Sequence, residues 1–153
     1  MIEVEGYADL VELGRGGYAI VYRARQLAVG RTVALKVLSR IDLDDRAFER
    51  FDAECRSMGA LSWHPNIVTV YDAGRTPGGV PYLAMELLDA GSVAERLHRR
   101  GPLPWDEVAN LGVQVADALA AAHDVGVLHR DVKPENIPKS TSNSSGVTYI
   151  FNL

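Results

Sequence analysis

Residues 7–40 read YADLVELGRGGYAIVYRARQLAVGRTVALKVLSR. Three short apolar stretches are separated by turns that carry glycine. Such a pattern predicts three antiparallel strands, Tyr7–Leu13, Ala19–Arg25 and Thr32–Leu38. Alternation on the third places Lys36 on one face with Ala34 and Leu38, opposite Val33, Leu35 and Val37. Residues 42–62, DLDDRAFERFDAECRSMGALS, change to a helical period. Phe48, Phe51, Cys55 and Met58 form the stripe, the Asp cluster at 42–45 suits the positive end of a helix, and Pro65 blocks continuation.

Further along, NIVTVYDAG (66–74) and VPYLAMELL (80–88) read as two more strands around the turn RTPGG. SVAERLHRRG (92–101) reads as a short helix capped by Ser92 and ended by Gly101. PLPWDEVANLGVQVADALAAAHDVG (102–126) reads as a long helix with a stripe of Val108, Leu111, Val115, Leu119 and Ala122, closed by Gly126. The expected fold is α+β, with a five-stranded antiparallel sheet and one helix, followed by a helical segment and a polar loop. After Ile137 the Ala/Arg/Gly/Val-rich composition gives way to a Ser, Thr and Asn tract.

Composition narrows the function. The chain has 153 residues, 47% hydrophobic and 24% charged, as in an ordinary globular domain. A net charge of −4 argues against broad nucleic-acid binding, which needs a basic face to displace counterions. A bound phosphate must instead meet local donors. The single cysteine, Cys55, allows no intrachain disulfide and sits at a helical core position. Met1–Leu10 holds three acids and no apolar run, so no signal peptide is expected. No stretch reaches the roughly 18 uninterrupted apolar residues of a membrane span, and a cytoplasmic setting is expected.

Several residues carry chemistry. Glycines 14, 16 and 17 in LGRGGYAIV (13–21) sit in a turn between strands, where bare backbone can approach a ligand and aim N–H groups at it. A flexible hairpin turn is the plainer reading. The turn is neither a Walker A loop, since no Gly-Lys-Ser/Thr follows, nor a Rossmann turn, since a strand follows it. Lys36 on an apolar strand either snorkels to water or is held for an anion, with small Ala34 leaving room for a flat ring. Glu54 falls inside the apolar arc of its helix, between Met58 and Leu61. It either bends to water at the rim or pairs with a cation, for which Lys36 is the candidate. In HRDVKPEN (129–136), Asp131 suits a proton acceptor, Lys133 reaches the same face to neutralise phosphate oxygens, and Asn136 offers an oxygen to a hard cation such as Mg²⁺.

Taken in order, these motifs resemble those of the protein kinase family, and more narrowly the bacterial serine/threonine kinases of eukaryotic type. The resemblance covers about residues 7–137. It implies a kinase N-terminal lobe and hinge over 7–88, the start of the helical C-terminal lobe over 89–137, and a tail over 138–153 outside the family. LGRGGYAIV resembles the glycine-rich loop over ATP phosphates, with Ala19 in place of the third glycine. The resemblance thereby implies ATP contacts from Leu13, Gly14, Arg15, Gly16, Gly17, Tyr18, Ala19 and Val21. VALK implies Lys36 as the phosphate-binding lysine beside Ala34, and FDAEC implies Glu54 as its partner on helix C. LSWHPNIVTVYDAG (61–74) is similar to the connection from helix C to the fourth strand. YLAMELLDAGSV (82–93) resembles the hinge, implying Met85 as gatekeeper and Glu86 and Leu88 as backbone contacts to adenine. The resemblance further implies Asp131 as catalytic base, Lys133 and Lys36 as catalytic cations, Asn136 as metal ligand, and ATP and Mg²⁺ as cofactors. The partner it implies is a protein substrate offering Ser or Thr. No Asp-Phe-Gly and no Ala-Pro-Glu occurs in the 153 residues. The expectation is therefore an inactive fragment of such a kinase, against the alternative of a non-catalytic nucleotide-binding pseudokinase or interaction module.

Overall fold

The computed structural model describes residues 2–16, 19–38, 45–129, 131–140 and 148–149, with the side chains of 45–47, 50, 54, 140, 148 and 149 outside that description. The chain divides into two compact units, residues 1–59 with 69–87 and residues 60–68 with 88–153.

The first unit holds strands β1 (Tyr7–Arg15), β2 (Ala19–Gln26), β3 (Arg31–Leu38), β4 (Val70–Arg75) and β5 (Pro81–Glu86) in one antiparallel sheet of order β1-β2-β3-β5-β4. The predicted strands are present. The exception is NIVT (66–69), which precedes β4 as irregular chain closed by an Ile67 N–H to His64 carbonyl bond of 3.2 Å. Helix α1 spans Asp45–Leu61 and buries Phe51 and Met58 of the expected stripe, and Leu61 beyond it. Cys55, expected in the core, is only half-buried. The Asp cluster at 42–45 lies outside the described side chains.

Strands β1 and β4 are the two edges of this sheet, yet Tyr7 Oη on β1 donates to Asp72 Oδ2 on β4 at 2.9 Å. The sheet therefore curls until its edges meet, an exaggeration of the twist that all sheets carry. Asp72 also accepts from Tyr82 Oη at 3.4 Å, and the rings of Tyr7 and Tyr82 stack edge to face at 5.5 Å. Gln26 donates to Tyr7 Oη at 3.3 Å, and Arg31 donates to Gln26 at 2.6 Å. The Arg31 guanidinium lies 3.5 Å above the Tyr71 ring. Burial, followed by the Asp72 carboxylate, raises the pKa of both Tyr7 and Tyr82, so both stay protonated donors.

In the second unit, α2 (Val93–Arg100) begins as expected, with Ser92 Oγ accepting from the Glu95 N–H at 3.2 Å, and ends at Gly101 with φ of 71°. Helix α3 spans Trp105–Asp124, and Gly126 follows it with φ of 77°. Leu111, Val115, Leu119 and Ala122 of the expected stripe all pack, joined by Ala118. Ala118 and Ala122 are buried with Leu61 and Ile67, while Leu111 and Val115 pack on Val93 and Ile137. Val108, expected in the stripe, is 50% exposed, because the helix lies against the rest of its unit with its later turns. His64 pins residues 60–68 to α3: its Nδ1 accepts from the Asn66 N–H at 3.1 Å, which puts its proton on Nε2, 3.3 Å from Asp117 Oδ2. A short strand pair, β6 (Lys139–Ser140) with β7 (Thr148–Tyr149), follows the polar loop.

Candidate functional site

Strand register gathers several candidate residues of the first unit on a single sheet face. Cα partners run Gly14–Val21, Val21–Lys36 and Lys36–Leu83 in one row, and Ala34–Met85 in the next. Residues directly opposite one another in antiparallel strands share a face, so Gly14, Val21, Ala34, Lys36 and Met85 stand together. Ala34 and Met85 are buried, while Val21 and Lys36 are half-buried. The other face is the packed one, with Val33, Leu35 and Val37 all at 1% exposure or less. A row that is apolar except for one lysine is a surface suited to a flat apolar group with an anion attached.

The glycine turn closes with the Gly16 N–H donating to the Ala19 carbonyl at 2.8 Å. A Cβ on Gly14 would meet nothing within 4 Å, and one on Gly16 would meet only Ala19 O at 3.6 Å. Packing within the protein therefore does not require glycine at either position. Leu13 is exposed, and Arg15 bonds back to Glu12 at 2.8 Å. Gly17 and Tyr18 lie outside the described residues. So does the Glu54 side chain, and with it the expected Lys36–Glu54 pair. Glu86 uses its N–H on the Thr69 carbonyl at 2.9 Å. Leu88 follows β5 in irregular chain, half-buried. Leu83 was not singled out from the sequence, yet it is fully buried opposite Lys36; its alternation with Met85 was the available signal.

In the second unit, the remaining candidate residues lie on the loop after α3. On one side the Val127 N–H closes on the Ala122 carbonyl at 2.9 Å. On the other, Ile137 O accepts from the Val93 N–H at 3.0 Å and the Lys139 N–H donates to Gly91 O at 2.8 Å. Between these anchors Pro134–Asn136 forms one 3₁₀ turn. Extended backbone at Lys133 brings its Nζ to 2.7 Å from Asp131 Oδ2. Asn136 Nδ2 donates at 2.9 Å to both the carbonyl and the Oδ2 of Asp131. The Asp131 N–H reaches His129 Nδ1 at 3.2 Å. The structure thus joins Asp131, Lys133 and Asn136 in one network, all on an exposed or half-exposed loop. Lys133, donating to Asp131, holds that carboxyl below the usual aspartate range, and Asn136 adds to the effect. The same bond raises the pKa of Lys133.

Among the described residues, no three His, Cys, Asp or Glu side chains group as a metal cluster, and no helix is long and apolar enough to cross a membrane.

The profile of the protein kinase domain matches residues 7–145. The chain belongs to the protein kinase family. It is 50% identical over 132 residues to serine/threonine-protein kinase PknK of Mycobacterium tuberculosis, covering 86% of this chain and 12% of that protein. It is 41% identical over 126 residues to serine/threonine-protein kinase pkn3 of Myxococcus xanthus, covering 82% and 23%. To serine/threonine-protein kinase PknB of Mycobacterium leprae it is 39% identical over 137 residues, covering 86% and 22%. The chain thus spans under a quarter of the length of each of these three relatives.

Proposed function

We propose that the chain carries the nucleotide-holding and phosphoryl-transfer elements of a kinase that moves the γ-phosphate of ATP to Ser or Thr hydroxyls of proteins. The observation that carries this reading is the Asp131–Lys133–Asn136 network, an ionised carboxylate held by an ammonium and an amide on an exposed loop. In this reading Asp131 accepts the hydroxyl proton or orients the hydroxyl. Lys133 turns from Asp131 to the phosphate oxygens, its three rotatable donors making that exchange easy. Asn136 commits its amide nitrogen to Asp131, which leaves its amide oxygen for a metal ion.

Asn136 would offer Mg²⁺ one amide oxygen, whereas this ion is usually held through one or two carboxylates together with phosphate and water. When bound, it would neutralise charge on the phosphates. Lys36 meets the phosphates from β3, while Leu13, Val21, Ala34 and Met85 enclose the adenine ring. Glycines 14, 16 and 17 bring backbone N–H groups to the phosphates, with Arg15, Tyr18 and Ala19 beside them. Glu86 and Leu88 present backbone groups to adenine, and Glu54 pairs with Lys36. The portions read as lobe with hinge and as start of the helical lobe are 7–88 and 89–137. A cytoplasmic setting, where ATP is plentiful, accompanies this reading.

Isothermal calorimetry with ATP and Mg²⁺ tests it. Binding that falls at least about tenfold in Lys36→Met supports it, as expected for loss of a charge-assisted contact worth about 1.5–3 kcal/mol. No heat from folded protein overturns it. The second reading, a nucleotide-binding module without catalysis, is favoured by the absence of Asp-Phe-Gly from these residues. Binding without phosphate transfer would select it.

A further inference from the structure

Strands β1–β5 carry five arginines, and four of them are committed. Arg15 bonds to Glu12 at 2.8 Å, Arg25 to Asp9 at 2.8 Å and Arg31 to Gln26 at 2.6 Å, and Arg75 pairs with Asp52 at 3.7 Å. The fifth, Arg23 on β2, is exposed and makes no ion pair, hydrogen bond or ring contact among the described residues. We infer, on the nucleotide reading of the Lys36 face, that Arg23 is a further binding residue whose guanidinium lies on the purine base.

Register places it there. Cα partners run Val11–Arg23, Arg23–Ala34 and Ala34–Met85, one row across the sheet. Residues directly opposite one another share a face, so Arg23 stands on the face of Lys36. Gly14, Val21 and Lys36 form the neighbouring row on that face. Two residues along a strand, about 7 Å, separate the rows. Lys36 takes phosphate in this reading, whereas Ala34 and Met85 meet the base. Arg23 therefore stands at the base end, one row away from the phosphates.

That end of the nucleotide offers no anion. Adenine is flat and uncharged, and a guanidinium beside such a ring is held by stacking, being planar, delocalised and more weakly hydrated than an ammonium. Ala34, directly opposite Arg23, is small, so the ring can approach the sheet at this row. Val11, on the other side of Arg23 and 47% exposed, offers apolar surface to the side-chain stem. With no carboxylate to leave, the guanidinium exchanges only water for the ring.

NMR titration of the 153-residue chain tests this with three probes. These are ATP with Mg²⁺, adenosine, which has no phosphate, and inorganic tripolyphosphate with Mg²⁺, which has no base. Salt is kept at about 0.5 M, where screening confines the loss of one charge to its immediate surroundings. Arg23→Ala should weaken ATP and adenosine by the same factor, about two- to fivefold, the range of an exposed cation–π contact, and leave tripolyphosphate unchanged. Lys36→Met should weaken ATP and tripolyphosphate and spare adenosine. Arg23→Lys keeps the charge but not the plane, and should recover only part of the loss. Circular dichroism shows that each variant is folded. Unchanged binding of ATP and adenosine to Arg23→Ala overturns the inference. So does a loss with ATP and tripolyphosphate but not adenosine, which would put Arg23 on the phosphates. Full recovery in Arg23→Lys overturns the stacking, leaving a contact of charge alone. Each of these leaves the nucleotide reading standing, provided that ATP binds and Lys36→Met weakens it. No binding of ATP or adenosine to the unsubstituted chain removes both.

Discussion

At the scale of single residues, Asp131 and Lys133 settle each other's charge. A 2.7 Å contact lowers the carboxyl pKa and raises that of the ammonium, so both stay charged across the neutral range. Neither titrates near pH 7, and a pH–rate limb between about 5 and 8 must come from other groups. The direct check is an NMR titration of the Asp131 carboxyl carbon. Its midpoint should fall below that of an ordinary aspartate, rise towards it in Lys133→Met, and rise by less in Asn136→Ala. A carboxyl whose folded pKa is depressed stabilises the fold at neutral pH, and that contribution is lost as pH falls through the depressed value. An Asp131 midpoint that ignores both substitutions would mean the loop is not held as the structure has it. Ser92 is a second residue-scale case. Its hydroxyl accepts from the Glu95 N–H at the start of α2, and Ser92→Ala should cost about 1 kcal/mol in urea unfolding.

At the scale of elements, what was legible and what was not divides along locality. The glycine turns and period-two alternation were enough for β1, β2 and β3, because each strand is specified by its own few residues. The face shared by Val21, Ala34, Lys36 and Met85 followed from the same alternation once the strands paired. Hydrophobic period found α3, but not which of its turns would be covered. The buried Ala118 and Ala122 and the exposed Val108 depend on partners elsewhere in the chain. Nothing local announced that the opposite edges of the sheet would meet, since Tyr7 and Asp72 are 65 residues apart. That closure makes a prediction. Tyr7→Phe keeps the ring against Tyr82 but removes the donor to the Asp72 carboxylate and the acceptor of the Gln26 amide. Stability should fall by about 1–2 kcal/mol, the range for a partly buried hydrogen bond to a charged group. Hydrogen exchange should speed up in β1 and β4 together, the two edges that the bond joins. Loss confined to β1 would show that Tyr7 does no more than hold its own strand.

For the molecule as a whole, family membership and catalytic output are separate matters. Phosphoryl transfer depends on positioning and on charge neutralisation at the γ-phosphate, with little covalent work for the protein. Asp131, Lys133 and Asn136 supply part of that, and Lys36 another part. The family's Asp-Phe-Gly aspartate, which holds metal against the phosphates, has no counterpart among these 153 residues. The loop that carries Asp131 is tied at Val127 and at Ile137–Lys139, and its described residues between those ties are exposed or half-exposed. A reacting group misplaced by about 1 Å already costs on the order of 100-fold in rate. The second unit also presents apolar surface to solvent, with Trp105 at 83%, Val113 at 67% and Val108 at 50% exposure on α3. Surface of that kind favours self-association in a chain held by itself. Two outcomes are therefore expected of the 153-residue chain alone. Light scattering should show concentration-dependent association, reduced in the Trp105→Lys and Val113→Lys double variant. Radiolabelled phosphate transfer to a generic Ser/Thr substrate should stay near the level of Asp131→Asn, while ATP still binds in calorimetry. Robust turnover that Asp131→Asn abolishes would show that another oxygen donor in this chain holds the metal against the phosphates.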